Sequence, residues 1–150
     1  MNDIKALSVL DGRYGRLTDS LCDTFSEYGL IQHRIFVEIE WLKYVLGDLK
    51  LDTAGKADFE KIDTVYKHFT KEDAESVKAI ERTTNHDVKA VEYFIKERLE
   101  KAGLTHLKEW VHFACTSDDI NNTSYALMIQ EGKTVLVELL DELLEKIENR

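Results

Sequence analysis

Three short stretches of this chain carry side chains that could do chemistry. The first is Glu81-Arg82-Thr83-Thr84-Asn85-His86-Asp87-Val88, where an imidazole and a carboxylate sit among hydroxyls and an amide. Thr84 is spaced to cap a helix that begins just after it, with Asp87 three residues on as the acid of a capping box. Free backbone N–H groups and the positive end of the helix dipole would then point toward Asn85 and His86, a corner suited to an anionic substrate. The same residue types equally suit a plain capped helix with a surface histidine. Local chemistry leaves both readings open.

The second stretch is Cys115-Thr116-Ser117-Asp118-Asp119-Ile120-Asn121-Asn122, where Thr116 and Asp119 repeat the cap spacing and Ser117 opens the helix. The third, Leu10-Asp11-Gly12-Arg13-Tyr14-Gly15-Arg16, reads as a glycine-flanked turn. There Arg13 offers a planar fork of donors for phosphate or carboxylate, and Tyr14 a hydroxyl and a stacking face. A surface loop with a cation–π pair is the other reading of it. The candidate metal ligands His33, His68, His86, His106 and His112 form no i, i+4 pair of the kind that marks a zinc helix. Ser117 has no neighbouring base, and there is no nucleophile elbow and no glycine-rich phosphate loop. Neither a metal nor a cofactor is expected.

The elements that must position these stretches read as helices. With no proline and seven glycines in 150 residues, the chain has little turn punctuation. Apolar residues recur at three-to-four spacing over 19–49 (Leu21, Phe25, Tyr28, Ile35, Ile39, Leu42, Leu46), predicting one long helix that ends near Gly47. Further helices are expected over 57–69, over 71–82 and from the first motif to Gly103, a residue placed for a left-handed cap. A short helix over 104–114 should follow. Beyond Asn122 the pattern stays helical, and Ile129, Leu136, Leu140, Leu143 and Ile147 keep an apolar seam longer than so small a protein can cover. The fold class is therefore all-α.

A hydrophobic fraction of 43% and a charged fraction of 33% describe a soluble globular chain about one domain long. A net charge of −9 argues against a nucleic-acid-coating surface. No apolar run approaches the roughly 20 residues needed to span a membrane, and the opening Met1-Asn2-Asp3-Ile4-Lys5 does not read as a signal peptide. Cys22 and Cys115 read as reduced thiols of a cytoplasmic protein.

Taken together, Asp11-Gly12-Arg13-Tyr14, Glu81 through Phe94 and His112-Phe113-Ala114-Cys115-Thr116-Ser117-Asp118-Asp119-Ile120-Asn121-Asn122 resemble, in order and spacing, the adenylosuccinate lyase family of bacterial type, within the fumarase/aspartase superfamily. The resemblance runs from about residue 9 onward. It implies an N-terminal helical domain over 1–115 and, over 116–150, the first long helix of a central helical bundle. It implies β-elimination of fumarate from adenylosuccinate and from succinyl-aminoimidazole-carboxamide ribotide, in purine biosynthesis. On this likeness Arg13 and Tyr14 meet the phosphate end of the substrate, Asn85, His86 and Asp87 form a second substrate-binding segment with His86 as an auxiliary catalytic group, and Thr116 and Ser117 bind the carboxylate end.

The superfamily's general-acid histidine lies in a Thr-His-Gly-Gln-like segment and its general-base serine on a Ser-Ser-x-Met-Pro-x-Lys-like loop. Neither occurs in these 150 residues. The chain is thus expected to be the first third of a homotetrameric enzyme, inactive alone. The alternatives are a stand-alone helical oligomerisation or regulatory module, or another superfamily lyase such as argininosuccinate lyase or fumarase.

Overall fold

The computed structural model describes residues 8–149, and among these there is no strand. Met1 to Lys5 of the opening segment lie outside the described residues. Six α-helices follow a region of short 3-10 turns: α1 (Cys22–Phe25), α2 (Glu27–Gly47), α3 (Lys56–Lys67), α4 (Lys71–Thr84), α5 (Asp87–Lys101) and α6 (Ser117–Glu148). The all-α expectation holds.

α2 is the axis of the molecule, touching α1, α3, α4, α5 and α6. Its Ile31, Ile35, Ile39, Leu42 and Leu46 form one stripe and are buried with Ile62, Val77, Val91, Phe94, Ile95 and Leu99 from α3, α4 and α5. Each such side chain contributes about 1.5–3 kcal/mol by leaving water. Because neighbours surround α2, burial extends past that stripe. Arg34 and Glu38, one turn apart, are buried too, at 5% and 0% exposure.

The single helix expected over 19–49 is broken at Ser26. Ser26 adopts extended backbone and its hydroxyl accepts the Gly29 N–H at 3.2 Å, so a new helix starts there. Gly29 is required by the same break, since a Cβ would overlap the carbonyl oxygens of Asp23 and Thr24. The expected ends of α3 and α4 shift by one or two residues, and α5 ends at Lys101, followed by Gly103 with φ +77°, the left-handed cap predicted for it. Over 104–114 an α-helix gives way to a 3-10 helix, Thr105–Trp110, and a tight turn.

That turn is unusual. His112 (φ 61°) and Ala114 (φ 56°) both occupy the left-handed region, at about 1–2 kcal/mol each. It is held by side chains: the Trp41 indole N–H donates to the Phe113 carbonyl at 2.8 Å, and Trp110 packs edge-on to Phe113.

α6 divides in two. Ile120, Ser124, Met128 and Gly132 are buried against the rest of the chain, whereas every described residue from Leu136 onward is exposed.

Candidate functional site

The first motif is a corner between two helices. α4 runs through Thr84, Asn85 closes it in the left-handed conformation (φ 52°, ψ 33°), and extended His86 begins α5. This corrects the expected cap. Thr84 is the last residue of α4, and its hydroxyl donates to the His86 carbonyl at 3.2 Å. The cap of α5 is His86 itself, whose Nδ1 accepts the Lys89 N–H at 3.1 Å. Left-handed geometry is tolerated by asparagine better than by most residues, which is why two residues suffice to join the helices.

The expected bare donors at this helix start are therefore largely used by the chain's own side chains. Asp87 Oδ1 accepts the Val88 N–H at 2.8 Å, and Oδ2 accepts from the Arg34 guanidinium at 2.6 Å. Partial burial alone would raise the Asp87 carboxyl. The Val88 amide and Arg34 outweigh it, holding the group below the usual carboxylate range. The His86 side chain is 50% exposed. With Nδ1 accepting a bond, Nε2 is the ring nitrogen left to donate. A polar cleft of about 510 Å³ opens here, lined by Lys78, Glu81, Arg82, Asn85, His86 and Asp87.

At the second motif the predicted cap is present. Thr116 accepts the Asp119 N–H at 3.4 Å, and Asp119 Oδ2 accepts the Thr116 N–H at 2.8 Å. The Thr116 amide and hydroxyl keep the Asp119 carboxyl low. Ser117 and Asp118 sit in the first turn, where backbone N–H groups have no carbonyl one turn back. Beside this start lies an apolar groove of about 530 Å³ between α2 and α6, with Trp41, Tyr44 and Cys115 among its walls. Burial pushes the Cys115 thiol up to about 11, so it is a poor nucleophile at neutral pH. Both cysteines are free.

The structure links the second and first motifs through α2. Arg34 Nη2 reaches Asp87 at the start of α5, and Arg34 Nε donates to Asn121 Oδ1 in α6 at 2.8 Å. One turn along, Glu38 Oε1 meets His112 Nδ1 at 2.5 Å, in the turn that leads into α6. The other oxygen of Glu38 is buried without a partner among the described residues. That contact raises the His112 pKa, against burial, and Glu92 acts in the same direction. Sequence reading missed Arg34 and the role of Glu38. Only their i, i+4 spacing beside a wholly apolar stripe hinted at them, and that spacing equally describes a solvent-exposed pair.

Arg13 and Tyr14 stay apart from these contacts. They lie in the expected turn, with the Arg13 guanidinium 5.3 Å from the Tyr14 ring centroid, and neither lines the two cavities above. Gly12 and Gly15 do not adopt a positive φ, so the turn does not depend on left-handed glycine. Among the described residues, no three His, Cys, Asp or Glu side chains converge as a metal site, and no helix is long and apolar enough to cross a membrane.

An all-α chain with capped helix starts gathered around one buried guanidinium is the setting in which the comparisons fall. A family model described as Lyase matches residues 12–150, and the chain belongs to that family. It is 44% identical over 141 residues to the adenylosuccinate lyase of Escherichia coli (strain K12), covering 91% of this chain and 31% of that protein. The adenylosuccinate lyase of Buchnera aphidicola subsp. Schizaphis graminum (strain Sg) is 43% identical over the same coverage of each. That of Dictyostelium discoideum is 42% identical over 155 aligned positions, 98% of this chain and 33% of that protein. The chain thus spans about a third of the length of the curated relatives it matches.

Proposed function

We propose that this chain is the N-terminal portion of an adenylosuccinate lyase and contributes substrate-binding walls to its active site. The observation that carries this is identity of about 40% to adenylosuccinate lyases across nine-tenths of the chain. The geometry supports it: two capped helix starts, each bearing small polar groups, are tied together by Arg34.

In the elimination, a base removes the proton beside a substrate carboxylate, the C–N bond breaks, and fumarate leaves as an acid protonates the departing nitrogen. Negative charge grows on the succinyl group, so donors aimed there lower the barrier. In this proposal Thr116 and Ser117 hold the carboxylate end with the first-turn amides of α6. Asn85 and the Nε2–H of His86 bind and stabilise charge, and Asp87 orients that corner. Arg13 and Tyr14 hold the phosphate end, and further residues of the longer protein supply the principal acid and base. Residues 1–115 form an N-terminal domain, and residues 116–150 begin a helical bundle that assembles a cytoplasmic homotetramer.

The test is turnover of adenylosuccinate by the full-length enzyme carrying these residues, followed by absorbance. His86→Ala and Ser117→Ala should each lower kcat/KM by about 100-fold, the scale of one lost transition-state donor. Near-parent rates in both variants would show these roles wrong. The 150-residue chain alone should give no turnover.

A further inference from the structure

α5 and α6 carry the two candidate substrate segments, yet they meet one another only briefly, and each packs mainly on other elements. Their relative placement passes through α2. Arg34, on α2, is 5% exposed and spends its fork on both: Nη2 on Asp87 Oδ2 at 2.6 Å, Nε on Asn121 Oδ1 at 2.8 Å. Asp87 follows His86 directly, and Asn121 lies one turn beyond Ser117. We propose that Arg34 is a positioning residue, whose guanidinium clamps the Asn85–Asp87 corner to the first turns of α6 so that both walls hold one substrate at a set separation. This rests on the substrate-binding reading above.

The chemistry requires arginine. A guanidinium donates in one plane from nitrogens on different sides, so it can satisfy a carboxylate and an amide oxygen at once without rotating. A lysine ammonium at the same place is a point charge on a flexible stem. It keeps the attraction to Asp87 but cannot hold both oxygens in fixed directions. A small misplacement of binding groups, far from the bonds that break, costs up to on the order of 100-fold in rate.

Arg34→Lys and Asn121→Ala in the full-length enzyme test the clamp. Arg34→Lys should raise KM for adenylosuccinate at least about tenfold while the thermal midpoint stays within a few degrees. Asn121→Ala should act in the same direction, Asn121→Asp should restore the parent KM by returning an acceptor, and Asn121→Ala added to Arg34→Lys should cost nothing more. Hydrogen exchange gives a readout independent of activity: the amides of Val88, Lys89 and Ile120 should exchange about tenfold faster in Arg34→Lys, with those of α3 unchanged. A folded Arg34→Lys enzyme with parent KM and parent exchange overturns the clamp. If Arg34→Lys does not fold, Asn121→Ala decides, and parent values there overturn it equally. An enzyme that does not act on adenylosuccinate defeats the functional reading, and the exchange experiment still decides whether Arg34 joins the two segments.

Discussion

His112 and Glu38 form an ion pair whose worth depends on pH. The Glu38 carboxylate raises the His112 pKa above the ordinary histidine value, burial opposes it, Glu92 adds to the rise and Lys89 subtracts from it. A group with a raised folded-state pKa stabilises the fold fully below the unfolded histidine value, near 6.5, and this stabilisation disappears as pH rises through the folded value. With Glu38 wholly buried and His112 19% exposed, His112→Gln should cost on the order of 2–3 kcal/mol at pH 6, somewhat less than breaking a fully buried pair. By pH 9 the gap between variant and parent should narrow. Urea unfolding at both pH values reads it directly, and a gap that does not change with pH rules the titration out. Sequence alone marked His112 as part of a motif and as one of five histidines weighed as metal ligands. A partner 74 positions away becomes visible only when α2 and the 111–114 turn meet.

At the scale of elements, two glycines separate conformational need from mere crowding. A Cβ at Gly29 would meet backbone oxygens of Asp23 and Thr24, which cannot move without unmaking the break at Ser26. A Cβ at Gly132 would meet only the ring of Phe25, a half-exposed side chain free to swing aside. Gly29→Ala should therefore destabilise by about 1–3 kcal/mol, as overpacking does. Gly132→Ala should be near neutral, because the helix preference of alanine, about 1 kcal/mol, offsets the displaced ring. Thermal melts of the two variants side by side check this; equal losses would show that the Gly29 contact is not rigid. Helix periodicity made α2 through α5 legible from residue types. The break at Ser26 was not, because the apolar spacing of Leu21, Phe25 and Tyr28 runs on across the Ser26 cap without interruption. The corner at Asn85 was misread for a related reason. Thr84 has the chemistry of a cap, but α4 runs on through it, and the asparagine that tolerates left-handed backbone takes the junction.

At the scale of the whole molecule, α6 is a helix with half a partner. It is about 48 Å long at 1.5 Å per residue, and Leu136, Leu140, Leu143 and Ile147 are 52–61% exposed. Four large side chains in one uncovered seam demand another surface. In the proposed tetramer that surface is supplied by other bundle helices. Leu140→Glu combined with Leu143→Glu in the full-length enzyme should lower the sedimenting mass while leaving the core of α2 through α5 folded. A parent-like mass would show that this seam is not part of the assembly.

By itself the sequence determined the helical class, the apolar stripes of α2 through α5, the cap at Thr116 and the unfilled seam of α6. All of these follow from spacing along one chain: 3.6 residues per turn set which side chains share a face, and a cap needs only a hydroxyl and an acid three residues apart. Tertiary structure alone decided that Arg34 and Glu38 are buried, that His86 caps its own helix, and that Asp87 is held rather than free. Those outcomes depend on neighbours packing around α2 from every side. An i, i+4 charge pair has the same local pattern in solvent as in a core, and only the surrounding helices determine which it is.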